Sequence, residues 1–255
     1  MSKQWYIGID IGSTAAKAVA LGPRSLRFTL PTGWSSRDTA DIIQQRLQEQ
    51  GIALADSVVV STGYGRQAVQ YANKKVTEIT CHAAGCAEAC PDCSIIDVGG
   101  QDTKAIHISD GAVDDFIMND KCSAGTGKFI EVMANRLDVS IDGLFALAAE
   151  GQIVPISSLC TVFAESEIIG YIGQGKKRQD IAAGIVNSVS VKVAQLAQQV
   201  PLDGPILLSG GLSHLPYFAK ALSQALGKPV QAAPQGRYAG AYGAALLAQK
   251  LVIGV

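Results

Sequence analysis

An apolar run ending in Asp-x-Gly occurs twice in this chain, and each copy carries a lysine at the same spacing. Residues 5–9 run into Asp10-Ile11-Gly12-Ser13-Thr14, with Lys17 seven residues beyond Asp10 and a second apolar run at 18–21. Residues 94–96 run into Asp97-Val98-Gly99-Gly100-Gln101-Asp102, with Lys104 seven residues beyond Asp97 and an apolar run at 105–108. Each copy reads as a strand, a glycine turn and a second strand. A hairpin repeated in this way predicts two similar halves, expected over residues 1–93 and 94–238, with a last helix at 239–255 returning to the first. Short strands at 57–61 and 206–208 alternate with helical periodicities at 39–50, 79–89, 129–137, 161–172, 181–199, 217–226 and 239–251. That alternation predicts α/β layers.

Composition narrows the function. Hydrophobic residues make up 48% and charged residues 17% of the 255, a folded rather than disordered balance. The net charge is -1 and no basic stripe occurs, so no nucleic-acid partner is expected. No stretch is long and apolar enough for a membrane helix. The first ten residues lack a signal peptide's pattern, which predicts a cytoplasmic protein. In that compartment the six cysteines point to metal or redox chemistry before disulfides.

A third small-residue turn, Ser209-Gly210-Gly211-Leu212, ends the strand at 206–208. Glycine turns at strand ends aim backbone N–H groups at an anion and let phosphate oxygens approach closely. Ser13 and Thr14 add hydroxyl donors, and Lys17 adds positive charge. Asp10 and Asp97 are hard carboxylates suited to Mg2+ held through water. Gln101 is placed to orient an attacking water. Neither a Walker A loop nor a G-x-G-x-x-G turn occurs.

These three turns resemble the phosphate-1, phosphate-2 and adenosine motifs of the actin/Hsp70/sugar-kinase superfamily. Ser61–Arg66 (STGYGR), Asp97–Lys104 (DVGGQDTK), Met118–Gly127 (MNDKCSAGTG) and Cys160–Glu167 (CTVFAESE) resemble, more narrowly, the BadF/BadG/BcrA/BcrD-type ATPases. That family comprises the activators of 2-hydroxyacyl-CoA dehydratases and the ATPase subunits of benzoyl-CoA reductase. The resemblance implies an actin-like (ribonuclease H-like) fold of two α/β halves with a nucleotide cleft. It places ATP or ADP with Mg2+ at Asp10, Gly12, Ser13, Thr14, Lys17, Asp97, Gly99, Gly100 and Gln101, and the adenosine at Gly210 and Gly211. It further implies a homodimer sharing one [4Fe-4S] cluster, to which each subunit gives Cys122 and Cys160. Both precede helices, whose N-termini favour the thiolate form that ligates metal. The implied electron donor is ferredoxin or flavodoxin, and the partner is an iron–sulfur dehydratase or reductase. The alternatives are a benzoyl-CoA reductase-like or double-cubane cluster system, and a small-molecule kinase on the same fold with Asp102 or Asp120 as base.

Cys81, Cys86, Cys90 and Cys93 form a second group to which the resemblance gives no ligand role. Cys81 and Cys86 lie about 140° apart around a helix and share no face, yet a second metal site stays open. His82, His107 and His214 read as isolated structural histidines. Glu165 and Glu167, two apart on a helix, diverge. Asn119, Asp120 and Lys121 are open to three readings: shaping the cysteine loop, meeting a partner, or forming a solvated turn.

Overall fold

The computed structural model describes residues 4–156 and 160–253, which fall into two compact units. The first comprises residues 1–92, 108–114 and 233–255; the second comprises 93–107 and 115–232.

The first unit holds strands β1 (Trp5–Ile11), β2 (Ala15–Leu21), β3 (Ser25–Pro31), β4 (Ser57–Thr62) and β5 (Lys74–Lys75), in the order β3-β2-β1-β4-β5. The β1–β2 and β2–β3 pairs are antiparallel, whereas β1–β4 and β4–β5 are parallel. Helix α1 (Ser36–Glu49) starts at Ser35, whose hydroxyl accepts from the Asp38 N–H, and it buries Ile43 and Leu47 with Ile7, Ile9 and Ile11 of β1. Helices α2 (Glu78–Ala87) and α8 (Ala239–Ile253) cover the opposite face, where Cys81, Ala244 and Ala248 pack with Val60. Contact there is backbone to backbone: a Cβ on Gly8 of β1 would lie 1.8 Å from the Ala241 carbonyl oxygen, so only glycine admits α8 at that depth.

The second sheet repeats the plan. Strands β6 (Cys93–Val98), β7 (Thr103–Ser109), β8 (Ala112–Asn119), β9 (Ile206–Gly210) and β10 (Val230–Ala232) run in the order β10-β9-β6-β7-β8. Read from the other edge, that order is the first sheet's, with β6 in the place of β1. The duplication visible in two hairpins therefore extends to all five strands. Strand β8, absent from the sequence reading, is joined to β7 by Asp110 and Gly111, whose φ angles of 51° and 74° suit a two-residue hairpin turn. Its residues are mostly exposed, so no apolar alternation announces it. Helices α3 (Gly127–Arg136), α4 (Ile141–Glu150), α5 (Thr161–Gly173), α6 (Arg178–Ala197) and α7 (Pro216–Leu226) complete this part of the chain, and all five contribute to its core. Helix α4 is also absent from the sequence reading, although Ser140 caps it by accepting from the Gly143 N–H. Among the described residues no helix is long and apolar enough to cross a membrane.

Candidate functional site

The first glycine turn joins β1 to β2. Asp10 stands opposite Lys17 in the strand register, and Lys17 Nζ lies 3.4 Å from Asp10 Oδ2. The Gly12 N–H closes the turn on the Ala15 carbonyl at 3.2 Å. Thr32 braces it: its hydroxyl donates to the Gly12 carbonyl at 2.7 Å and its N–H to the Thr14 carbonyl at 3.0 Å. Ser13 is half-buried and Thr14 is exposed at the tip. Asp10 is buried, and its strand partner Thr62 is buried beside the Cys81 thiol, with which its hydroxyl interacts. Burial, foremost, pushes the nearby Cys81 thiol up to about 12; the Asp10 and Glu78 carboxylates add to this, while Thr62 and Arg66 act in the opposite sense. His82 is not isolated: the point a Cβ on Gly240 would occupy lies 2.9 Å from His82 Nε2 and 3.3 Å from Asp10 Oδ2.

The second turn has the same closure, with the Gly99 N–H on the Asp102 carbonyl at 2.9 Å. Lys104 again faces the first aspartate, Nζ to Asp97 Oδ2 at 3.3 Å. Where the first turn has Ala15, this one has Asp102, whose Oδ2 lies 2.6 Å from Lys104 Nζ as a charge contact without hydrogen-bond alignment. Lys104 is 2% exposed, so one buried cation serves two carboxylates. Such a hard-oxygen set suits Mg2+. Ser209 Oγ donates to Asp97 Oδ1 at 2.7 Å, which fixes the carboxylate from the neighbouring strand β9. Gln101 is exposed at the tip.

Pairing of β6 with β9 also sets the third turn beside the second, with Val98 opposite Gly210. Gly210 has φ of 89°, and a Cβ there would lie 2.3 Å from the Val98 carbonyl oxygen, so the position requires glycine. The Gly211 N–H donates to that same carbonyl at 3.2 Å. His214 bridges the Gly211 carbonyl at 3.0 Å and Asp142 Oδ1 at 3.1 Å, so it too is placed rather than isolated.

Cys122 and Cys160 are both exposed. Cys160 is the N-cap residue of α5. Cys122 precedes α3 less directly: it lies in the small-residue loop four residues before Thr126, the N-cap of α3. The loop is turned by Gly125, with φ of 81°, and by the Thr126 hydroxyl, which donates to the Ser123 carbonyl at 2.7 Å. Asn119 holds it from the end of β8. Its Nδ2 donates to the carbonyls of Cys122 at 2.8 Å and Ala124 at 3.1 Å, and its Oδ1 accepts from the Cys122 N–H at 3.2 Å. Of the three readings for Asn119, the structure selects the shaping of the loop.

The residues that follow the two cysteines touch. Ser123 Oγ and Thr161 Oγ1 are 2.7 Å apart, so Cys122 and Cys160 sit on adjoining junctions. An Arg136–Glu165 ion pair ties α3 to α5 one turn further on. Glu167 instead accepts from the Tyr171 hydroxyl at 3.2 Å, so the two glutamates do diverge. Beyond Cys160 the surface is apolar, with Val162 66% and Phe163 67% exposed.

The other cysteines form no comparable pair. Cys81 and Cys86 are buried in α2, Cys93 is buried at the start of β6, and the Cys90 thiol donates to the Asp92 carbonyl at 3.3 Å. Among the described residues no group of three or more His, Cys, Asp or Glu gathers as a metal site. His107 lies 3.4 Å from Ser94 Oγ. Thr32 escapes the sequence reading because its partners Gly12 and Thr14 are remote in the chain, whereas Thr62, Thr103 and Ser123 lie inside the quoted motifs but carry no sign of what their hydroxyls meet.

Two five-stranded sheets of one topology, each opened by an Asp–glycine turn–Lys hairpin, define an ATPase of the actin-like fold. The chain belongs to the BadF/BadG/BcrA/BcrD ATPase family, whose family model matches residues 7–248. It is 40% identical over 253 residues to the (R)-2-hydroxyglutaryl-CoA dehydratase activating ATPase of Acidaminococcus fermentans, covering 96% of this chain and 97% of that protein. The crystal structure of component A of that dehydratase superposes with a TM-score of 0.92 at 38% identity, over 98% of this chain and 99% of the other. The activator of the 2-hydroxyisocaproyl-CoA dehydratase from Clostridium difficile, solved with bound ADPNP, superposes with a TM-score of 0.88 at 34% identity, over 98% of each chain.

Proposed function

We propose that this chain is the ATP-driven activator of an iron–sulfur enzyme of the 2-hydroxyacyl-CoA dehydratase type, passing it one electron at low potential. The observation that carries the reading is the pair of exposed cysteines on junctions joined by the 2.7 Å Ser123–Thr161 contact. Full-length relatives named as dehydratase activators supply the class of partner.

Two cysteines per chain fit half of a four-thiolate shell, and a two-fold axis supplies the other half. The exposed Val162 and Phe163 beside Cys160 give a second copy an apolar surface to cover. When bound, the shared [4Fe-4S] cluster supplies a single low-potential electron, replenished by ferredoxin or flavodoxin. The protein's own residues do the rest. Gly12 and Gly99, whose N–H groups close their own turns, leave room for phosphate oxygens; the Gly100 N–H and the hydroxyls of Ser13 and Thr14 hold them, and Lys17 offsets their charge. Asp10 and Asp97 hold the waters of Mg2+, Gln101 orients the attacking water, and Gly210 and Gly211 leave room for the adenosine. Reduced cysteines of this kind belong to a cytoplasmic protein.

The test is anaerobic iron and sulfide analysis of the parent and of Cys160→Ser, beside ATP hydrolysis by Asp10→Ala and Asp97→Ala. About four iron per dimer is expected in the parent, with none retained in Cys160→Ser and hydrolysis lost in both aspartate variants. Colourless parent protein after reconstitution, or aspartate variants that hydrolyse ATP at the parental rate, refutes the assignment.

A further inference from the structure

The turn Gly99–Thr103 and the loop Cys122–Lys128 are fastened together at two points. At one, the N–H groups of Gly127 and Lys128 donate to the carbonyls of Gly99 and Gly100 at 2.9 and 2.7 Å. At the other, the Thr103 hydroxyl donates to the Gly125 carbonyl at 2.6 Å, fully buried. The turn is itself closed by the 2.9 Å Gly99–Asp102 hydrogen bond, so both points move as one piece. A single point lets the loop pivot, whereas two points pass on rotation as well as translation.

We propose that Thr103 is a positioning residue for the coupled reaction, and that its hydroxyl transmits the state of the second glycine turn to Cys122. This rests on the function proposed above, in which that turn holds phosphate and Cys122 holds the cluster. The position fits the task. Thr103 is the first residue of β7 and Asn119 the last of β8, and the two strands neighbour one another in the sheet. The two residues grip the Cys122 loop on successive carbonyls, Asn119 that of Ala124 and Thr103 that of Gly125. Asn119 fixes the loop to the sheet; Thr103 is the side chain that links its Gly125, through Asp102, to the turn, beside the main-chain hydrogen bonds of Gly127 and Lys128. Beyond Cys122, the Ser123–Thr161 contact carries any displacement to the Cys160 junction. Thr103 contacts neither the thiol nor the proposed phosphate groups, so its effect falls on the linkage between them.

The experiment measures the rate of iron loss to a chelator from the anaerobic, cluster-loaded dimer, saturated with ADP or with a non-hydrolysable ATP analogue. In the parent the two rates differ. In Thr103→Val their ratio falls to one, while iron content and the ATP hydrolysis rate stay parental. Thr103→Ser, which keeps the hydroxyl, keeps the parental ratio. A parental ratio in Thr103→Val overturns the proposal and leaves the activator reading standing, as does equal loss in the valine and serine variants. Equal rates in the parent itself bring down the ATP-coupled reading and the proposal with it. Should the valine variant not fold, amide hydrogen exchange in the parent decides. Protection at Gly127 and Lys128 is expected to change between the two nucleotides, and unchanged protection overturns the proposal.

Discussion

Replacing Lys104 with methionine keeps most of its stem and removes its charge from between Asp97 and Asp102. The lysine is 2% exposed, and its ammonium lies 3.3 and 2.6 Å from the two carboxylates. At an effective dielectric of about 20 those distances correspond to gross attractions of roughly 5 and 6 kcal/mol. Desolvation of three charges takes back most of that, so the pair adds little net stability. Removal of one partner is a different matter. Two carboxylates then face each other away from water, and the expected cost is about 3–5 kcal/mol. For a chain of this size, at about 2–4 °C per kcal/mol, the melting temperature falls by roughly 6–20 °C. The first turn supplies an internal control, because it works with Ala15 where the second has Asp102. Asp102→Ala therefore leaves a tolerated Asp–Lys pair and costs about 1–3 kcal/mol. Combined with Lys104→Met it recovers part of the larger loss, since the two sites share a partner. Urea denaturation of the cluster-free protein, followed by far-UV circular dichroism, reads all three variants. Lys104→Met within about 1 kcal/mol of the parent, or cheaper than Asp102→Ala, refutes this account of the buried charges.

Changing Cys81, Cys86, Cys90 and Cys93 together to alanine is expected to leave iron at about four per dimer; iron near eight in the parent, halved in that variant, establishes a second cluster instead. Asn119→Leu strips three hydrogen bonds from the Cys122 loop and is expected to speed iron loss to a chelator, with Asn119→Asp intermediate; an unchanged rate in both removes Asn119 from the loop's support. The Cys81 thiol, held at about 12 by burial, keeps its proton well above neutrality in the folded protein. Iodoacetamide at pH 8 should therefore label exposed Cys122 and Cys160 in the folded, cluster-free chain and spare Cys81, as peptide mass spectrometry will read. Because its folded value is raised, Cys81 contributes stability that is complete below the ordinary thiol value of 9.0 and is lost as pH rises towards about 12. A denaturation midpoint flat across that alkaline window, in a comparison of the parent with Cys81→Ala, contradicts the assignment.

What the sequence disclosed and what it hid follow one physical division. The Asp10–Lys17 and Asp97–Lys104 pairs are local: each is set by the register of one hairpin, so seven residues of spacing suffice to read it. Strand β9 was legible as a short apolar run for a related reason, since its five residues are all buried. Strand β8 lies at a sheet edge with most residues exposed and lacks the period that would reveal it, whereas edge strand β3 does alternate, Leu26, Phe28 and Leu30 against Ser25, Arg27 and Thr29, and was legible but passed over. Helix α4 escaped although its cap was in view at Ser140, because a short apolar segment fits a strand as well as a helix. At the candidate site, glycine turns and cysteines stand out by residue type. Their supports do not. Ser123 meets Thr161 across 38 residues and Thr103 meets Gly125 across 22, and neither pair leaves a pattern in the chain. His82 was misread as isolated because α2 is brought to Asp10 only through the glycines it shares with α8.

The layering of α8 on β1 has a consequence for biosynthesis. Gly8 is made before any helix of the chain, yet the backbone that covers it belongs to Ala241 and Ala245, made after every strand of both sheets. Until then β1 lacks α8 on one face, although all five strands of its sheet, α1 on the other face and α2 have already been made. The usual N-terminal-first order of folding during translation is thereby inverted. The stretch from Cys93 to Ala232 can complete its own core while the earlier residues wait. Ribosome stalling before residue 239 should accordingly yield nascent chains in which protease spares the later segment and cuts the earlier one.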